Sequence, residues 1–300
     1  MNVNIFRIFV LILIFFSNSI RAENLRIVYS SSLTGNLFSC ICGLKLSVGL
    51  AKRGSFFKQI GINPNSDILI DTGNSLDIKS STEKTKAIFE SFQTLGYHSV
   101  GIGQNDLQEN TISILMANNK LTHSANLFQK GFFQTSSFGK PVTYIKRNKN
   151  TFGIINLSSP EILYELNNNI KSKLIVQDME TTVSKLTSSE TEVPINVWII
   201  LLHGTKEEAE KIYSLNPNFI VIYGGKNNIK LSNSGKSAIN DKQIYSTADL
   251  LGDKIGILTL TDQKSKWKVT SSEVTEMNVD KLTDSEEILQ IMKKYNIKPE

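Results

Sequence analysis

The sequence predicts an α/β protein built from two sheets packed face to face with helices outside. Three observations lead there. Strand-like and helix-like runs alternate over the first half of the chain, as in a sheet with helices on its faces. The second half repeats that rhythm around its most hydrophobic strand, "INVWIILLHG". The end of the chain then changes to consecutive strands, which an antiparallel pairing would suit.

Taken in order, "LRIVYS" is a strand over Arg26 to Ser30, and an amphipathic helix follows around "VGLAKRGSFFKQI". "SDILIDTGN" leads to "TEKTKAIFESFQTLG", and "HSVGIGQND" leads to "ENTISILMANN", each a strand followed by a helix. "LTHSAN" is the next apolar run. Lys140 to Pro160 reads as two short strands, "PVTYIKR" and "TFGIINL", with "RNKN" as their turn. A helix around "METTVSKLTSS" precedes the hydrophobic strand, after which come the helix "KEEAEKIYSL" and the strand "NFIVIYGG". "KQIYSTAD", "DKIGILTLTD" and "WKVTSSEVTEM" read as three successive strands, closed by a helix near "DSEEILQIMKKY". No linker, low-complexity tract or repeat divides the chain, so residues 23–300 are expected to form one domain.

The first 22 residues differ from the rest. Arg7 precedes nine apolar residues, Ile8 to Phe16, and the small, polar run "SNSIRA". That run is too short to span a bilayer and has the order of a secretory signal. Cleavage is expected after Ala22, with Ser19 as the rival position. The mature chain should therefore be exported, to a periplasm or the medium, with no membrane-spanning segment. Removing the segment takes away Arg7 and Arg21 and lowers the formal charge from +5 to +3. The remaining lysines are dispersed and no basic run is interleaved with aromatics, which argues against nucleic acid as a partner. Cys40 and Cys42 are the only cysteines. Free thiols, a strained local disulfide and half of a metal site are all open readings.

Five strand ends carry the chemistry: "SSLTGN" (31–36), "DTGN" (71–74), "GIGQND" (101–106), "LLHG" (201–204) and "YGGKNN" (223–228). In α/β sheets ligands bind beyond the carboxyl ends of the strands, where loops diverge and backbone amides are free. Each loop alone could be an ordinary turn; their repetition points to one crevice. His203, at the exit of a buried strand, could be a metal ligand, a general base or a hydrogen-bonded cap.

In this order the five loops resemble the metal-binding motifs of the calcineurin-like metallophosphoesterases, in particular the N-terminal domain of the 5'-nucleotidase and UDP-sugar hydrolase family. "VGLAKRGSFFKQI" is similar to the family's Gly-Gly-Leu-Ala-Arg helix, and "LGYHSVGIG", "SAN" (124–126) and "GDKIGILTLT" also match. "LFSCIC" resembles the cysteine-bearing variant of some bacterial members. The resemblance covers nearly all of the mature chain. It implies a four-layer αββα sandwich, and an enzyme whose two metal ions activate hydroxide and clamp the phosphoryl oxygens.

The ligands that this chemistry needs are largely replaced. Where the resemblance implies Asp-any-His, the chain has Ser32, Leu33 and Thr34. Asn74 stands for the bridging aspartate, although Asp71 is present, and Gln104 and Asn105 stand for Asn-His. His203 is retained, whereas Lys226 and Asn228 replace the two histidines of the last motif. Neutral oxygens do not offset two divalent ions, and Lys226 would place a cation at a metal position. A C-terminal substrate-binding domain like that of the full-length nucleotidases is not expected.

The expectation is a non-catalytic, exported binding or envelope-associated protein without cofactor. Its pocket should be neutral to positive and suited to a small anion held by Lys226. The alternatives are a residual phosphoesterase holding one divalent metal on Asp71, Asp106 and His203, and a structural component with a protein partner.

Overall fold

The computed structural model describes residues 24–42, 45–118, 120–189, 194–225, 242–247, 252–263 and 266–299. The leader, Lys226 and Asn228 lie outside the described residues. The first sheet is built on β1 (Asn24–Ser30), which lies parallel to β4 (Ile68–Asp71), and β4 lies parallel to β5 (Ser99–Val100). On the other side of β1, β14 (Lys254–Asp262) runs antiparallel and pairs with β15 (Trp267–Glu276). The order is β15-β14-β1-β4-β5.

The second sheet has the order β13-β12-β11-β9-β8. Its strands are β8 (Thr143–Arg147), β9 (Asn150–Ser158), β11 (Val197–His203), β12 (Ile220–Gly224) and β13 (Ile244–Ser246). All its pairings are parallel except the β8–β9 hairpin. The three closing strands are thus split between the sheets. β13 is a parallel edge of the second sheet, and only β14 and β15 form the expected antiparallel pair, because the chain changes sheet between β13 and β14.

Strand alternation decides what lies between the sheets. Leu25, Ile27 and Tyr29 of β1 and Ile68 and Ile70 of β4 pack against Phe152, Ile154, Ile199 and Leu201 of the opposite sheet. The intervening residues face outward onto helices. Val28 and Leu69 lie with Phe56 and Phe57 of α1 (Leu50–Gln59), Ile88 and Phe92 of α2 (Thr82–Thr94) and Ile288 of α7 (Glu286–Lys294). Ile155, Ile200 and Val221 lie with Val183 of α5 (Met179–Ser188) and Ile212 of α6 (Lys206–Leu215). This is the four-layer αββα sandwich, with mixed sheets. Sequence signals mark the helix starts: Ser81 accepts from the Lys84 amide, and Thr205 and Glu208 form a reciprocal capping box.

Two smaller sheets were not foreseen. A short antiparallel pair joins β2 (Cys40–Cys42) to β3 (Lys45–Ser47). The side chains of both cysteines lie outside the described ones. The other sheet has β6 (Ser124–Lys130) between β7 (Thr135–Phe138) and β10 (Leu174–Val176). The short helices α3 (Ile112–Ala117) and α4 (Asn168–Lys171) precede β6 and β10. No helix among the described residues is long and apolar enough to cross a membrane.

Candidate functional site

The parallel strands of both sheets end at one place. Ser158 at the end of β9 donates to the Ile102 carbonyl beyond β5, at 3.2 Å, and Thr72 and Thr247 bring their hydroxyls within 3.4 Å. The five loops foreseen from sequence therefore converge, as far as they are described.

The loop after β1 is stitched to the loop after β4 by backbone. Ser32, Thr34 and Gly35 donate their amides to the carbonyls of Gly73, Asn74 and Ser75 at 3.0, 3.1 and 2.9 Å. Ser32 (φ 52°), Thr34 (φ 50°) and Asn74 (φ 56°) sit in the left-handed region. Asparagine tolerates this conformation, but for a β-branched threonine it is strained. Three of the substituted ligand positions thus adopt a backbone that non-glycine residues rarely take. Gly73 (φ 100°) meets the same constraint from outside, because a Cβ there would lie 2.7 Å from the Gly103 nitrogen. Thr34→Gly is expected to raise stability by about 1 kcal/mol in urea unfolding, the strain relief exceeding the added unfolded-state entropy. An unchanged or lower midpoint would show that Thr34 is held without strain.

Asp106 organises the next loop. Its Oδ2 accepts from the amides of Asn74 and Gly103, both at 2.8 Å, and its Oδ1 accepts from Leu76 at 2.9 Å. Burial nevertheless pushes its pKa up to about 7 against those three donors. Asn74 is engaged too, its Oδ1 accepting the Asn105 amide at 3.0 Å.

Gln104 lies between two partners. Its Nε2 donates to Glu165 Oε2 at 3.3 Å, which turns its Oε1 toward His203 Nε2, 2.9 Å away. That arrangement makes His203 the donor through Nε2. Nδ1 is buried without a hydrogen bond. Burial pulls the His203 pKa down to about 4, with the Thr72 carbonyl and Glu165 pulling the other way, so the ring is neutral near pH 7.

Asp71 points elsewhere. Its Oδ2 accepts from Ser30 Oγ at 2.5 Å and its Oδ1 from the Gly73 amide at 2.8 Å. Ser30 Oγ in turn lies 3.0 Å from Tyr97 OH and accepts from Arg53 Nη1 at 3.2 Å. Burial raises the pKa of Asp71, opposed by Ser30 and then by Arg53.

These contacts decide whether the side chains suit the two metal ions that the resemblance implies. They do not fit. Asp106 gives both oxygens to amides, Asp71 is spent on Ser30 and Gly73, and Asn74 and Gln104 are each taken by a neighbour. Thr34 Oγ1 accepts from Asn36 and Ser32 shares a hydrogen bond with Ser31, both at 3.1 Å. Asp71, Asp106 and His203, the three ligands of the one-metal alternative, are not brought together. Among the described residues no group of three or more His, Cys, Asp or Glu side chains could hold a metal ion.

A cavity of about 160 Å³ opens beside His203 and Gln104. Its wall includes Ser159, Glu161, Tyr164 and Glu165, which follow β9. The sequence predicts a neutral-to-positive pocket; the described wall instead contains two carboxylates and neither lysine nor arginine. The missed signal was "SSPEILYE" (158–165), a polar strand exit like the other five that reads as part of a plain hairpin segment.

No family model matches the sequence, and no curated protein matches it. Solved structures do match. The calcineurin-like phosphoesterase YfkN from Bacillus subtilis aligns over 92% of this chain and 97% of its own, at 14% identity and a TM-score of 0.67. The 5'-nucleotidase precursor from Thermus thermophilus aligns over 91% of this chain at 16% identity, with a TM-score of 0.67. The NAD nucleotidase of Haemophilus influenzae gives 11% identity over 91% of this chain, with a TM-score of 0.61. This chain spans 58% of the Thermus protein and 56% of the Haemophilus protein. The architecture is that of the calcineurin-like phosphoesterases and 5'-nucleotidases, and this chain has their fold.

Proposed function

We propose that this chain is an exported protein that keeps the metallophosphoesterase scaffold without its two-metal chemistry, and that it acts by binding at the cell envelope. One observation carries the reading: the side chains at the described ligand positions are neutral or already committed to hydrogen bonds within the loops. A carboxylate whose two oxygens both accept buried backbone amides, as in Asp106, holds its loop and has little left to offer an ion. The apolar leader supports export. Glu161 and Glu165, in the described part of the crevice wall, weigh against a small anion beside them.

A second reading, a one-metal phosphoesterase, draws on the unpartnered Nδ1 of His203. Elemental analysis of the purified mature chain, with a chromogenic phosphodiester assay, separates the two. The expected result is metal far below one ion per chain and hydrolysis at background. Stoichiometric manganese, iron or zinc accompanied by turnover would overturn the binding reading.

A further inference from the structure

We propose that the tip of the β6–β7 hairpin is a docking finger for an anionic lipid surface. Lys130 pairs with Thr135, so the turn between them is Gly131 to Gln134, closed by the Gly131 amide donating to the Gln134 carbonyl at 2.9 Å. The central positions of such a turn ordinarily hold glycine, proline, asparagine or aspartate. This one holds Phe132 and Phe133, 95% and 94% exposed. Their rings pack edge to face with centroids 4.9 Å apart, so they form one projecting apolar knob. No backbone requirement of the turn asks for a phenylalanine. Exposing two whole rings is costly unless something outside the chain covers them.

Charge beside the knob indicates what covers it. Lys130 is exposed at the base of the turn, and its amide bonds the carbonyl of Lys173 at 2.7 Å, which sets a second exposed lysine next to it. Lys171 lies two residues away with its Nζ 5.3 Å from the centre of the Tyr164 ring, itself 76% exposed. Glu109 is the acid in this neighbourhood, 3.9 Å from Lys173 and bonded by Asn169. The surface is therefore two exposed aromatics on a turn that starts from Lys130, with Lys171 and Lys173 on the adjoining segment, a pairing of apolar tip and basic base that suits an anionic headgroup layer. Size argues against a second copy or a large partner. Two rings offer about 150–250 Å² each, far from the roughly 1,000 Å² of a stable protein interface. Phe132 and Phe133 do not line the crevice, although Tyr164 under Lys171 borders it, and the test is independent of metal content.

The test is co-sedimentation of the mature chain with vesicles of phosphatidylcholine alone and of phosphatidylcholine with phosphatidylglycerol. The wild type is expected to bind the anionic vesicles and to bind the neutral ones weakly. F132S/F133S should weaken binding at least about tenfold, while its circular dichroism and melting stay those of the wild type. K130Q/K171Q and raised salt should weaken it as well. Three results would overturn the proposal. They are no binding to anionic vesicles, undiminished binding by F132S/F133S, and self-association or protein capture that needs the phenylalanines where lipid binding is absent.

Discussion

Arg53→Met is expected to lower the free energy of unfolding by about 3–5 kcal/mol, as removal of one member of a buried charge pair does. Arg53 and Asp71 are both fully buried. They do not touch through their charged ends. Arg53 Nη1 donates to Ser30 Oγ and, at 3.1 Å, to Tyr97 OH, and the Ser30 hydroxyl donates to Asp71 Oδ2. Arg53 Nε and Nη2 have no hydrogen-bond partner. The guanidinium is thus poorly satisfied, and its main role is to compensate the carboxylate across a bridging hydroxyl. Without it, burial acts on Asp71 with one opponent fewer, and the carboxyl takes up a proton or remains as an uncompensated charge. Asp71→Asn removes that penalty. R53M/D71N should therefore be less damaged than the two single variants added together, by at least about 1 kcal/mol. Urea unfolding of the four proteins measures this. Simple additivity would mean that the two groups do not interact through Ser30.

This cluster also shows what the sequence could and could not disclose. Strand and helix identities were legible because burial imposes a period: Leu25, Ile27 and Tyr29 alternate as a half-buried strand must, and the helices announce themselves with Ser81 and Thr205. Strands as short and polar as Thr135–Phe138 carry no such period, and the third sheet went unseen. Convergence of the loops was legible as repetition of one type of strand exit. Their internal wiring was not. Ser30, Arg53, Asp71 and Tyr97 come from four separate segments, and Asp106 looks like a spare carboxylate until its three amide donors are placed. The same limit kept two carboxylates of the pocket wall out of view. Lys226 was visible beside a glycine-rich exit, whereas Glu161 and Glu165 reach the crevice only through the turn that follows β9.

Asp106→Ala is expected to cost about 3–5 kcal/mol, because it leaves the amides of Gly103, Asn74 and Leu76 buried without an acceptor. Asp106→Asn keeps the shape and most acceptors but turns an NH2 toward one of those donors, for a loss of about 1–3 kcal/mol. The informative measurement is its pH dependence. The folded pKa is raised from 3.8 to about 7, so the folded state holds a proton that the unfolded chain has released. Stability from this group is then full below about pH 4 and is lost as pH rises through 7, with a span of at most about 4 kcal/mol. Asp71, also raised by burial, acts in the same direction. A single proton on Oδ1, which accepts only from Leu76, can be added without displacing the three amides, although they bond the carboxylate more strongly than the acid. Unfolding free energies of the wild type should consequently decline between pH 4 and 8, and those of D106N should decline less. Parallel profiles would place Asp106 as an ordinary ionised carboxylate, with the three amides outweighing burial.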